Sequence, residues 1–300
     1  MKTKLKIEKI KYQGASWLIM LPGIALFTFF LWFPLLQSIR MSMYRTVNIQ
    51  LVEFIWFDNY ITVFQRTEFL QALVNTLSYT VWSLLIGFLI PIFLALVIGE
   101  TVRARGVIRT AAYIPNILPG LAAIILWTAV FSAGESGVLN IILGYFGIDQ
   151  RSYLTERNLV IPLIVSVATW RGAGATALIY MAGLASINPQ MYEAATIDGA
   201  GIWKRLRYIT VPGIFNLGST LLILQIIAIF QIMFEPMMLT AGGPDNASLS
   251  LMLLMWQYAF GGGTMEFGRA SAVAVIIASI LLVFTALYSM VNKRKVDWDN

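Results

Sequence analysis

The chain has 300 residues, of which 58% are hydrophobic and only 12% charged, and its 21 Lys and Arg outnumber its 15 Asp and Glu; a soluble globular domain carries roughly 25% charged residues. Cysteine and histidine are both absent, which excludes a disulfide framework, a Cys/His metal centre, a histidine base and a thiolate nucleophile. A carboxylate-only metal site stays formally open, but Asp and Glu cluster nowhere.

From the N-terminus onward, long apolar stretches predict six membrane-spanning helices, at about 14–39, 73–98, 109–133, 159–184, 213–240 and 270–292. A spanning helix needs about 20 apolar residues. Residues 12–39, 69–99, 110–134, 208–234 and 270–292 hold no Asp, Glu, Lys or Arg, and 158–192 holds Arg171 as its one basic residue. The basic flank Lys2 to Lys11 before the first span resembles a signal peptide. Its apolar run exceeds the usual 7–15 residues of a signal core, and Phe33-Pro34-Leu35-Leu36-Gln37 is too bulky for a cleavage site. The stretch is therefore expected to remain as the first helix. Residues 40–72, with Trp56 and Tyr60, form an external segment, and the uncharged 136–148 is too short to cross and is expected in the outer interface.

Lys and Arg set the orientation. The N-terminal tail, the 100–109 loop, the 186–211 loop and the C-terminal tail carry five, three, three and three of them, 14 together. The alternate loops carry six, at Arg40, Arg45, Arg66, Arg151, Arg157 and Arg269. Both termini are thus expected in the cytoplasm. The basic excess is topological and suited to membrane lipid, and no nucleic-acid partner is implied.

The loop at 186–211 has internal signals of its own. Asn188 is a good N-cap and Pro189 suits the first helical position, while Gly199 can end a helix in the left-handed conformation. They predict a short helix at 189–198, a turn, and a second short helix from about 202 with Trp203, Leu206 and Ile209 on its apolar face. Taken alone, such a loop is an interfacial helix pair on anionic headgroups. The order Glu193-Ala194-Ala195, then Asp198-Gly199, Ile209 and Pro212 goes further: it resembles the EAA motif of ABC importer permeases, with Val211 where Leu is more usual. Tyr113-Ile114-Pro115-Asn116-Ile117-Leu118-Pro119, Leu239-Thr240-Ala241-Gly242-Gly243-Pro244, Tyr258, Phe260, Phe267-Gly268 and Ala270-Ser271-Ala272 extend the likeness over about 15–292. Together they resemble the binding-protein-dependent sugar permeases, and among these the F-type subunits of maltose permeases.

That resemblance implies an all-α integral membrane protein in a bacterial plasma membrane: one transmembrane domain over 1–300 with the six helices of the type I ABC importer permease fold. It further implies a second homologous permease, two ATP-binding subunits, an extracytoplasmic solute-binding protein and a saccharide substrate. The chain has no Gly-rich phosphate loop ending in Lys-Ser/Thr, so it is expected to be non-catalytic and without cofactor, ATP and Mg residing in the partner ATPases. Glu193, Ala194, Ala195, Asp198, Gly199, Ile209 and Pro212 are the residues expected to couple to those ATPases.

For the substrate pathway, depth along the helices places Arg171 and Gln225 near mid-bilayer, with Ala168, Gly172 and Ala175 on the face of the first and Ala228, Ile229 and Ile232 on that of the second. The resemblance points to the same faces and to Asn116. Each has a plainer use. Arg171 can pair with Glu235 or a carbonyl, Gln225 can bond a neighbouring helix, and Asn116 can serve the Pro115/Pro119 kink. Trp127 and Trp170 can stack on a sugar or serve packing or the membrane interface, and Gly172 to Ala175 can form a close helix crossing. The arginine leaves two substrate classes open, a neutral saccharide and an anionic one such as a uronate or sugar phosphate. A stand-alone secondary transporter is the runner-up. It would usually show internal repeats and intramembrane carboxylates, and only Glu235 lies within a span.

Overall fold

The structure is a computed structural model describing residues 16–100, 105–261 and 265–296. The basic flank at Lys2 to Lys11 and Arg103 lie outside the described residues. In chain order the elements are α1 (Ser16–Ser42), β1 (Tyr44–Val47), β2 (Gln50–Phe54) and α2 (Asp58–Gln65), then α3 (Thr67–Gly99), α4 (Arg105–Ile117), α5 (Gly120–Val130) and α6 (Val138–Gly144). They continue with α7 (Val160–Ala185), α8 (Pro189–Ile197), α9 (Ile202–Phe230), α10 (Phe234–Thr240), α11 (Leu251–Phe260) and α12 (Phe267–Val296).

Among the described residues five helices, α1, α3, α7, α9 and α12, are long and apolar enough to cross a membrane, and a sixth crossing requires counting α4 and α5 as one bent span. The third expected span is therefore not a continuous helix. Pro119 takes an extended conformation (φ −54°, ψ 136°) at the head of α5 and disfavours helix in the residue before it, so the two helices meet at 101°. With 13 and 11 residues they reach about 20 and 16 Å, short of the ~30 Å hydrocarbon layer.

The fifth span also differs. It starts at Ile202 and ends at Phe230 rather than running to 240. Pro236 has no N–H to give the Ile232 carbonyl, as a continuing helix would need, and it sits instead in the first turn of α10, where a donor is dispensable. The freed Ile232 oxygen accepts from Ser250 Oγ. The external segment holds an antiparallel hairpin, β1 with β2, that hydropathy did not reveal, and the 136–148 stretch holds α6.

The described residues form two compact units, one of 16–63 with 255–261 and 265–276, the other of 64–100 and 105–254 with 277–296. In the first, Asn59 Nδ2 donates to the carbonyls of Ser42 and Tyr44, both at 2.9 Å, and the Gly268 N–H donates to Thr46 Oγ1 at 2.9 Å. Along α1 the apolar side chains are exposed, which suits only hydrocarbon or another apolar surface.

The second unit is built round α7, half-buried along its most apolar stretch. Gly174 brings it against α4: a Cβ there would overlap the carbonyl of Ala112. Further along, Tyr180, Ala177, Ala95 and Ile214 join α7, α3 and α9 in one buried cluster. The turn after α10 packs inward, where its backbone needs partners, and α3 supplies them. Gln71 Nε2 donates to Asp245 O (3.0 Å), Asn75 Nδ2 to Asn246 O (2.7 Å) and Leu249 O (2.9 Å), and Tyr79 Oη to Ser248 O (3.0 Å). Replacing Asn75 by leucine strips two of these carbonyls of a donor. The expected cost is about 1–3 kcal/mol for each, read as a lowered melting temperature in detergent; an unchanged one would show that the turn does not depend on Asn75.

Candidate functional site

A cavity of about 300 Å³ lies within the second unit. Its walls come from α3 (Ser83, Gly87, Pro91), α7 (Val165, Ala168, Thr169, Gly172, Ala173, Thr176), α9 (Gln225, Ala228, Ile229) and the stretch 231–235 leading into α10. The α3 wall is a wider π turn at Ser83–Gly87, a departure from regular helix often found at functional sites. Gly87 leaves the space that neighbouring side chains use: a Cβ would stand 2.8 Å from Gln225 Nε2 and 3.2 Å from Thr169 Oγ1. Across that gap Gln225 Nε2 donates to Ser83 Oγ at 2.6 Å, so Gln225 serves as a bond between helices and as cavity wall.

Of the residues expected on the pathway, six line this cavity: Ala168, Gly172, Gln225, Ala228, Ile229 and Ile232. Arg171, Ala175 and Asn116 do not line it, and Asn116 is exposed on α4 just before the break. The guanidinium of Arg171 is turned to Glu235 on α10, Nη1 to Oε1 at 2.8 Å, with side chains 28% and 13% exposed. It packs beside Gly120 at the head of α5, and its Nε is buried with no hydrogen-bond partner. The run of small residues divides by use. Gly172 faces open space at the cavity, whereas Gly174 makes the crossing with α4. Trp127 and Trp170 meet edge to face, 5.6 Å between centroids, and neither lines the cavity. Thr169, Thr176, Ser83, Gly87 and Gln231 were not anticipated. The available signal was Ser83 and Gly87 four apart in an apolar run, and Thr169 and Thr176 seven apart on α7.

At the other end of α9 the 186–211 loop forms as its residues suggest, with one difference. Asn188 Oδ1 accepts from the Gln190 N–H at 3.0 Å, Pro189 opens α8, and Gly199 (φ +70°) turns the chain out of it. The second short helix is not separate: Ile202–Arg205 continues through a π turn at Leu206–Thr210 into α9. Tyr192 Oη and Thr210 Oγ1, 3.0 Å apart, tie α8 to the base of α9. Glu193, Ala194, Asp198, Gly199 and Pro212 are exposed, Ala195 and Ile209 half-buried. Ile197 (87% exposed), Trp203 (81%) and Ile202 (74%) make the loop apolar on the outside. Among the described residues no group of three or more acidic side chains gathers as a metal site.

The family described as binding-protein-dependent transport system inner membrane component matches residues 87–297. The chain is 28% identical to the arabinooligosaccharides transport system permease protein AraP of Bacillus subtilis (strain 168), covering 92% of this chain and 87% of that one. It is 28% identical to the trehalose/maltose transport system permease protein MalF of Thermococcus litoralis, covering 97% and 98%. Its fold is similar to a chain of a bacterial ABC transporter involved in the import of the acidic polysaccharide alginate, with TM-score 0.83, 28% identity and coverage of 96% and 98%. A chain of a bacterial alginate ABC transporter in complex with alginate pentasaccharide-bound periplasmic protein gives 0.82, at 28% identity and 96% coverage of both.

Proposed function

We propose a saccharide pathway through this chain, which belongs to the binding-protein-dependent transport system inner membrane components and is a non-catalytic permease subunit of the bacterial inner membrane. The substrate, a saccharide handed over by an extracytoplasmic binding protein, passes along the cavity bounded by α3, α7 and α9. ATP and Mg are held by two partner ATPase subunits, a second permease completes the pathway, and both termini are cytoplasmic. The loop at 186–211 seats on an ATPase subunit through α8 and its exposed apolar rim, with Glu193 as the charged contact.

The observation that carries this reading is that one helix, α9, grows out of the loop at Ile202 and lines the cavity at Gln225, Ala228 and Ile229. A push on the loop is thereby a movement of the cavity wall, the two-state rearrangement a transporter needs. Relatives named for arabinooligosaccharides and for trehalose and maltose support the saccharide class.

The test is reconstitution in proteoliposomes with the partner permease, the ATPases and the binding protein. ATP-dependent uptake of a labelled oligosaccharide is expected, falling to background when the binding protein is left out. The purified chain alone is expected to hydrolyse no ATP, since it has no phosphate-binding loop. Uptake by this chain without partners, driven by an ion gradient, would instead establish a secondary transporter.

A further inference from the structure

We infer that the cavity accepts an uncharged saccharide, and that Glu235, held by Arg171, is the residue that turns anionic sugars away. The inference rests on the saccharide reading above and narrows it. The polar groups on the wall are hydroxyls and amides, from Ser83, Thr169, Thr176, Gln225 and Gln231, which match the hydroxyls of a neutral sugar. Among the lining residues Glu235 alone is ionisable. Arg171 does not line the cavity and spends Nη1 on Glu235 Oε1 at 2.8 Å. The pair is neutral in sum, and of its two members only Glu235 belongs to the cavity wall.

An anionic sugar has two ways to enter, both unfavourable. With the pair intact, its carboxylate or phosphate lies beside a carboxylate in a partly dry site, where like charges a few ångströms apart weaken binding by roughly a hundredfold or more. To take the Nη1 edge of Arg171 it must displace Glu235, which then stays without its partner, and breaking a buried pair on one side is costly. A neutral sugar meets neither obstacle. The sequence alone left Arg171 open as an anion receptor; its absence from the wall and its bond to Glu235 reverse that reading.

The experiment is equilibrium binding to the detergent-solubilised complex of both permeases and both ATPases, without binding protein, so that only the membrane cavity discriminates. The probes are a panel of labelled neutral oligosaccharides and an alginate pentasaccharide. In the wild type at least one neutral probe is expected to bind about a hundredfold more tightly than the alginate. Glu235→Gln exposes an uncompensated guanidinium and is expected to narrow that ratio tenfold or more. Arg171→Gln with Glu235→Gln removes both charges, avoids an unpaired ion and is expected to keep neutral binding while losing part of the discrimination. A merely structural pair would leave the ratio unmoved in every folded variant, and that result overturns the inference. So does alginate binding by the wild type that Arg171→Gln abolishes, which would leave the saccharide reading intact. Binding of no probe by any folded variant removes the saccharide reading as well.

Discussion

Gly174→Leu is expected to leave little of the chain folded. Gly174 sits where α7 crosses α4, and even a methyl group on its Cα would overlap the Ala112 carbonyl and come within 3.0 Å of Tyr113 Cα. The obstacle is backbone rather than a flexible side-chain tip, so the helices must separate to admit a side chain. Overpacking in a well-filled core costs typically about 1–3 kcal/mol and sometimes more, and a leucine at a backbone contact belongs at or above the top of that range. Net stabilities are only about 5–15 kcal/mol. Gly172 is the internal control, two residues earlier on the same helix, where an added Cβ meets nothing within 4 Å. Gly172→Ala should therefore assemble normally, while Gly174→Leu aggregates or melts at least ~10 °C lower by fluorescence-detected gel filtration after heating. Equal melting of the two variants would refute the crossing.

A second large effect is expected at the loop, in transport rather than folding. Glu193 is exposed and makes no ion pair among the described residues, so Glu193→Lys has little to disturb within the chain. Its cost falls on a partner. Reversal of a contact charge at an interface replaces an attraction with a repulsion, each 1.4 kcal/mol of which is tenfold in affinity. Gly199→Pro acts through the backbone. Proline cannot adopt the +70° φ of Gly199, and it deletes the N–H that donates to Thr196 O at 3.1 Å, so the exit from α8 must be rebuilt. In reconstituted importer both variants are expected to lower saccharide uptake a hundredfold or more. Thermal stability should stay within about 2 °C of wild type, and binding protein should no longer stimulate ATP hydrolysis. Wild-type uptake in both variants would remove the loop from the coupling path.

How far the sequence carries depends on what constrained each residue. Charge-free runs betrayed the spans because lipid has no water to satisfy a charge, and α8 was bounded almost to the residue because Asn188, Pro189 and Gly199 each do one local job. The angle at Pro119 was not legible. Both prolines were in view, but hydropathy counts apolar residues without recording the direction of the axis, so 109–133 read as one rod. The end of α9 at Phe230 escaped for the same reason, since the carbonyl partner that permits it, Ser250, is remote in sequence. At the cavity, depth along a helix found Gln225 but put Arg171 on a wall it does not line, while the partners of both were a matter of register. Glu235 could be named as the single carboxylate within reach, but Ser83 and Gly87 became visible only where the π turn brings them to Gln225.

The length of α9 has a mechanical consequence. From Val211 to Gln225 the unbroken helix is a strut of about 21 Å at 1.5 Å per residue. A tilt of ~8° at its foot sweeps the far end sideways by about 3 Å, more than the 2.6 Å that joins Gln225 to Ser83. Small rocking at the base is thus amplified into a change of partners at the cavity, with no bending of the strut itself. The compliant place is low, at the π turn Leu206–Thr210 and at Pro212, which has no N–H to bond back to the turn before it. Leverage of this kind favours a stiff upper shaft and a soft foot, and α9 has that order, its pliable turn next to the loop and an unbroken helix from Val211 to Phe230 above it.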